Sequence, residues 1–435
     1  VNPVILAKHV TTTAMPLEDA PDRSARLRLA LHIGRQLAKD APAEAPRAIT
    51  ADVVARCAAP PVLAVGVISA PRNHERRQRM RDMRDLLLAE SPCAATMTFV
   101  LGHRSMLNAE ERLIVAAESA QHGDLALLDA HDGSKPGVSH GGRAVAEKAL
   151  AWLIHSVAAS RAAFVCKLDD ATMPESTRGY PRPPEITLTR LDDDTMPHLP
   201  NLVADLRALQ SEVPNPSFAY YGVHVYRMWD WASAEAGGEP NAACGGHGDD
   251  GPPQQSSTLK RLYRLSRRGQ RCERAAGPFP FPDGSLEIVG RGALEAVFNS
   301  SRVRSYAARH FRNEQPPFWS HEDACLGALL HREASERELP VSYLALRRWE
   351  HNLFWVNWAD RTSLVSGNTL WAHYTRSAER ADYVSSAFRA TAGQARDPFR
   401  CGGCGAGWGW SPPHAGISCC DKPPPPQRLP TPQPP

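Results

Sequence analysis

No stretch of the 435 residues stays apolar for the roughly 20 positions that a bilayer-spanning helix needs. The opening VNPVILAKHV shows no signal-peptide pattern, so these residues alone lead one to expect a soluble chain, with any anchor lying ahead of Val1. An excess of one charge is missing too. Fifty Lys and Arg face 47 Asp and Glu, a formal net charge of +3, which excludes a strongly basic nucleic-acid binder as the default reading. Cysteine is sparse: ten residues scattered over this length do not make the disulfide framework of a small secreted domain, and they decide nothing about compartment. Proline is plentiful but uneven, and PPPPQRLPTPQPP at the end reads as a solvated polyproline tail. Hydrophobic residues, at 42%, are enough for a sizeable core.

Within the chain, residues 1–58 read as a helical and linker segment, 59–390 as one large domain, and 391–435 as a disordered Cys/Gly/Pro-rich tail. PVLAVGVISA is a continuous apolar, β-rich run of the kind buried on both faces of a sheet. A charged helix, RNHERRQRMRDMRDLLLAE, follows it. Then come the strand TMTFVLG, a helix around AEERLIVAAESAQHG, the strand DLALLDA, the helix RAVAEKALAWLIHSVAASR and the strand AAFVCK. This alternation predicts an α/β fold with an open, mostly parallel sheet flanked by helices. Farther on, SFAYYGVHVYRMWDWA, LPVSYLALRR and TLWAHYTR are strand-like, FPFPDGSLEIVGRGALEAVF reads as turn, short strand and helix, and SHEDACLGALLHREAS is a helix with a strong start signal. Insertions are expected at about 168–190 and 235–258.

Ligands of such sheets bind beyond the carboxyl ends of the strands. FVCK delivers its end into LDDATMP at Leu168, and LDDDTMP repeats the phrase at Leu191. In extended chain Asp192 and Asp194 face the same way and can address one hard divalent ion such as Mg²⁺ or Mn²⁺. The same residues also fit a solvated acidic turn that caps HLPNLVADLRAL. Arg77 and Arg81 lie four apart on one helix face just after the first strand, which suits either a bound nucleotide or a solvated basic face. Ser320-His321-Glu322-Asp323 has the form of a capping box with Asp323 at its third helical position. Cys401-x-x-Cys404 with Cys419-Cys420 has partial zinc-site spacing, Cys244 and His247 make a weaker pair, and Lys260 to Arg274 is a basic run.

Taken in order, these blocks resemble the inverting β1,3-galactosyltransferase family, which includes β1,3-N-acetylglucosaminyltransferases and Fringe-type enzymes. The resemblance covers about 60 to 390. Its residues are Ser69, Pro71, Asn73, Arg76, Arg77 and Arg81; Phe99 to Gly102; Glu118-Ser119 with Gly123-Asp124-Leu125; Lys148; Lys167 and the aspartates after it; Tyr221-Gly222; Pro282-x-Gly284 through Gly290; Glu322 to Gly327; and His373. Met83-Arg84 stands where the family has Thr-Trp, and the proline–glycine block is degenerate. The resemblance implies a GT-A-type nucleotide-diphospho-sugar transferase fold, a UDP-sugar donor, Mn²⁺ (or Mg²⁺), a glycan or glycoprotein acceptor and no nucleic acid. It further implies a Golgi location, with membrane association through an anchor ahead of this chain.

By the same resemblance Asp323 is the general base, and Glu322 and Gly284 are accessory. Asp192, Asp194 and His373 hold the metal, with Asp169 and Asp170 as the alternative set. Arg77, Arg81, Asp193 and Lys167 contact the donor. Deleting the 23-residue offset between the two acidic copies would give FVCKLDDDTMPHLPNLV, an unbroken family-like motif. Two placements follow for the insertion: FVCK keeps its place in the sheet, or EITLTR replaces it as the strand leading into LDDD. An insertion at the metal edge also leaves open a catalytically inactive, binding-only relative.

Overall fold

The computed structural model describes residues 57–132, 141–168, 195–213, 215–230, 275–312, 322–345, 352–353, 369–373, 378–392, 401–402 and 417–420. Its centre is a sheet of seven strands: β1 (Leu63–Ile68), β2 (Ala95–Leu101), β3 (Leu125–Leu127), β4 (Phe164–Leu168), β6 (Ala219–Asp230), β7 (Ala275–Gly290) and β8 (Ser342–Ala345). A two-residue strand, β5 (Met196–Pro197), falls between β4 and β6 in the chain and joins a separate small sheet. The central order is β3-β2-β1-β4-β7-β6-β8. The pairs β2/β3, β1/β2, β1/β4 and β6/β8 are parallel, and β7 is antiparallel to both of its neighbours. The sheet is therefore mostly parallel, as the alternation of segments predicts.

Strand alternation feeds two cores. Ala64, Ile68, Val165 and Val289 point to one face and meet Leu150 and Leu153 of helix α3 (Gly141–Ala159) and Leu326 and Leu330 of helix α6 (Glu322–Glu336). Leu63, Val65, Phe164 and Cys166 point to the other, against Met80 of α1 (His74–Leu87) and Leu202 and Leu206 of α4 (Leu199–Glu212). Helix α2 (Ala109–His122) starts at an Asn108–Glu111 capping box and ends at Gly123, whose φ of 66° needs a residue without a β-carbon penalty. Helices α5 (Ser301–Phe311) and α7 (Ala378–Thr391) complete the set used below. At the centre of the sheet the indole of Trp152 lies across Gly66, where any β-carbon would overlap the ring. Its Nε1 donates to the Cys166 carbonyl at 2.9 Å, fixing α3 on β1 and β4.

Three expectations change here. FVCK is the strand beside β1, so EITLTR does not replace it; Phe164, Val165 and Cys166 fill both cores in alternation. EITLTR itself lies outside the described residues, as do residues 1–56 and 169–194. The segment after Gly277 is a long strand rather than a turn and short strand, because β6 offers a partner along most of its length. The tail expected to be disordered contributes β11 (Cys401–Gly402) and β12 (Ile417–Cys420), of which β12 adds to the open edge of β8.

A disulfide joins Cys57, ahead of β1, to Cys93, ahead of β2, across 36 residues of sequence. It encloses β1 and α1 and closes just ahead of β2. Loop-closure entropy for such a span is worth about 4 kcal/mol. Urea unfolding of the Cys57→Ser, Cys93→Ser double variant, or of reduced protein, should show a loss of that order. Equal midpoints with and without reductant would refute the bond.

Candidate functional site

The order of the strands locates the crevice. The chain runs outward from β1 to β2 to β3 and then returns to the other side of β1 as β4. The switch point is between β1 and β4, and ligands of open α/β sheets bind beyond the carboxyl ends there. Ser69 follows β1 at this edge, Gly102 follows β2, and β4 ends there at Leu168.

The edge is braced by buried charge. Arg77 of α1 is fully buried and makes a two-pronged pair with Glu118 of α2, Nε to Oε1 at 2.8 Å and Nη2 to Oε2 at 2.5 Å. Its Nη1 also donates to Ser69 Oγ at 2.9 Å and to the Ala70 carbonyl. Arg81, one turn on, lies over the Phe99 ring and pairs with Glu118 and, through two nitrogens, with Asp124. Arg84 adds a second guanidinium to Asp124 and reaches Asp85. Burial alone would raise the Glu118 and Asp124 carboxyls. The hydrogen bonds and charges of Arg77 and Arg81 on Glu118, and of Arg81 and Arg84 on Asp124, outweigh it and hold both below their ordinary values.

Two further pairs belong to the same edge. Lys148 of α3 donates to the Ser69 carbonyl at 2.6 Å and to Asp132 at 3.0 Å, and Asp132 accepts from the Gly102 N–H at 2.7 Å. The ends of β1 and β2 are thereby tied to the chain that leaves β3. Beside them the His131 N–H and Nδ1 both meet Glu147 Oε2, at 2.9 and 2.6 Å, which places the ring proton on Nδ1.

Lys167, expected to contact a donor, is fully buried on β4 opposite Glu287 of β7, with Nζ to Oε2 at 3.7 Å. Tyr220 of β6 donates its hydroxyl to the same carboxylate. Its phenol is pushed well above the ordinary tyrosine value, first by burial, then by Glu287, with Tyr343 and Asp323 adding to the effect. Asp323 is therefore within electrostatic reach of this dry cluster. It lies in the first turn of α6, half-buried. Helix α6 leads into β8, which starts level with Ala219 at the amino end of β6. The helix must descend toward that end, so Asp323 starts from the carboxyl edge. Glu322 opens the helix, while Ser320 and His321 of the expected capping box lie outside the described residues.

His373 is placed by the small sheet. Strand β10 (Trp371–Ala372) pairs in parallel with β9 (Asn352–Leu353). On its other side it pairs antiparallel with β5, Trp371 opposite Pro197 and Ala372 opposite Met196. His373 and Thr195, the residue that directly follows Asp194, leave the ladder at the same end. The two segments are fastened further by His198 N–H to the Leu370 carbonyl at 2.7 Å and Asn201 Nδ2 to the Thr369 carbonyl at 2.8 Å. Leu370 and Trp371 share a core with Val67 and Leu168, near the ends of β1 and β4. His373 is 8% exposed, and the Thr195 hydroxyl is buried with no hydrogen-bond partner among the described residues. Asp169, Asp170, Asp192, Asp193 and Asp194 lie outside the described residues, and among those described no three His, Cys, Asp or Glu groups cluster as a metal site.

Gly284 falls within β7, where the register against β6 shifts between Gly222 and His224. A β-carbon on Gly222 would crowd Pro282 and the Leu286 carbonyl, which is why two separated glycine-bearing blocks can approach here. The sequence reading of Arg77 and Arg81 offered solvent or nucleotide as the partner. The structure supplies a third, the carboxylates of α2 and of the turn before β3. Glu287, Asp132 and the His131–Glu147 pair carry no spacing signal that marks them in the sequence. Cys244, His247, Lys260 to Arg274 and Cys404 lie outside the described residues. No helix among the described residues is long and apolar enough to cross a membrane. No protein-family model matches the chain, and no curated protein matches it.

Proposed function

We propose that the chain is an inverting hexosyltransferase of GT-A type. It moves galactose or N-acetylglucosamine from a UDP-sugar to a hydroxyl of a glycan or glycoprotein. The observation that carries the reading is the β5–β10 pairing, which brings His373 and Thr195, the residue following Asp192–Asp194, to the same end of one ladder although 178 positions separate them. Asp323 approaches the same carboxyl edge from the start of α6. The resemblance asks for an acidic run, a distant histidine and a helix-borne aspartate to converge, and the placement of Thr195, His373 and Asp323 supports that.

The residues fit a divalent ion. Asp192 and Asp194 would supply hard oxygens and His373 a nitrogen, a set that favours Mn²⁺ over Mg²⁺, and the buried Thr195 hydroxyl, without a hydrogen-bond partner among the described residues, belongs to the next residue of the chain. When bound, the ion neutralises a diphosphate leaving group. The chain's own part is to hold the acceptor hydroxyl near Asp323, which takes its proton as the anomeric carbon is attacked. The register favours the second acidic copy as the partner of His373. The Cys57–Cys93 disulfide supports an oxidising lumen, in keeping with the Golgi. Membrane association, in this reading, comes from an anchor ahead of Val1.

Release of UDP from UDP-galactose and UDP-N-acetylglucosamine, measured with Mn²⁺ and an acceptor glycan, tests the proposal. Activity that survives Asp194→Ala combined with Asp323→Ala would remove it. His373→Ala should weaken Mn²⁺ binding by at least about tenfold, read by Mn²⁺ titration in the absence of donor.

A second reading, a catalytically inactive glycosyltransferase-like binding protein, is favoured by one observation. Arg77, Arg81 and Lys167 all turn to protein carboxylates instead of toward the crevice. It predicts UDP or glycan binding without turnover.

A further inference from the structure

We propose that Asn299 is an acceptor site for N-linked glycosylation. Asn299-Ser300-Ser301 is the one Asn-x-Ser/Thr triplet in the chain with an acceptable middle residue, since Asn215-Pro216-Ser217 is blocked by its proline. Asn299 and Ser300 form the turn between a short π-helical stretch (Leu294–Phe298) and α5, and Ser301 opens that helix. Phe298 and Val303 are buried on either side, while Asn299 and Ser301 are exposed, so the turn is anchored at both ends and projects at its tip. Ser300 faces inward to its own task, its hydroxyl accepting from the Val303 N–H as the cap of α5. That leaves the Ser301 hydroxyl, at the position the acceptor triplet requires, on the exposed side.

Two independent features agree with a lumenal modification. The Cys57–Cys93 disulfide belongs to an oxidising compartment. The turn is also on the far side of the sheet from the crevice. It follows β7, which runs opposite to its neighbours, and Arg291 at its start donates its N–H to the Ala163 carbonyl just ahead of β4. A bulky glycan there leaves the carboxyl edge open. In the transfer, the amide nitrogen of Asn299 bonds to the anomeric carbon of a lipid-diphosphate-linked oligosaccharide. The bond from that carbon to the diphosphate oxygen breaks, the lipid diphosphate leaves with the bonding pair, and the amide nitrogen gives up a proton.

The test is expression of the full chain behind a cleavable secretion leader in a eukaryotic host, followed by glycan-removing amidase. The expected result is a mobility shift that the amidase reverses, leaving aspartate at position 299 in the peptide mass spectrum. The shift should vanish in Asn299→Gln and Ser301→Ala and persist in Ser301→Thr. Because the glycan is added before folding ends, a variant that folds poorly still reports. Protein with Cys57–Cys93 oxidised but no shift would overturn the proposal, and so would a shift retained in Asn299→Gln.

Discussion

Asp323→Asn is expected to lower kcat for sugar transfer by on the order of 10²- to 10⁴-fold, with KM for the UDP-sugar nearly unchanged. The substitution keeps the volume and the hydrogen-bonding reach of the side chain but removes its ability to accept a proton. Asp323 is half-buried in the first turn of α6, where the free N–H groups of a helix start favour a fixed carboxylate. The Tyr220–Glu287–Lys167 cluster, within electrostatic reach of Asp323, is fully buried, with Tyr220 donating to Glu287 and Lys167 ion-paired with it. Glu322→Gln, one residue earlier, should cost far less, since an accessory contact carries no proton. Steady-state kinetics on both variants decide the matter. Wild-type turnover in Asp323→Asn, or a greater loss in Glu322→Gln, would place the base elsewhere.

What the sequence disclosed follows from the range of each interaction. The helices from His74, Ala109 and Gly141 and the strands LAVGVI, ATMTFVL and FVCKL are legible because their periodicity is local and strong. The resemblance groups these residues without saying what they touch. Arg77 meets Glu118 across 41 positions and Arg81 meets Asp124 across 43, so blocks that look separate in sequence are two sides of one ion-pair network. A basic helix face reads as solvated or ligand-facing because nothing local shows that acidic partners will cover it. Glu287 was hidden for the opposite reason: it stands in an apolar stretch, and its partners, Lys167 of β4 and Tyr220 of β6, come from the strands on either side. The Cys57–Cys93 bond could not be read from spacing, since ten scattered cysteines allow too many pairings.

Arg77→Ala should destabilise the protein by about 3–5 kcal/mol, because it leaves the buried Glu118 carboxylate short of its two-pronged partner. It also strips the donors from Ser69 Oγ and from the Ala70 and Pro71 carbonyls, the turn that leaves β1. Arg77→Met with Glu118→Leu together should recover most of the loss, since a buried pair costs desolvation that an apolar pair does not. The acid limb supplies an independent check. Glu118 and Asp124 titrate below their ordinary values of 4.5 and 3.8, so their contribution to stability is complete above those values. It is lost as pH falls below them toward the depressed folded-state values, where the unfolded chain binds protons that the folded chain refuses. The double variant removes one of the two carboxylates and should unfold less steeply over that acid range. Urea midpoints measured from neutral pH downward separate the cases. A single-variant cost below about 1 kcal/mol, as for an exposed ion pair, would mean that Arg77 does not brace the edge.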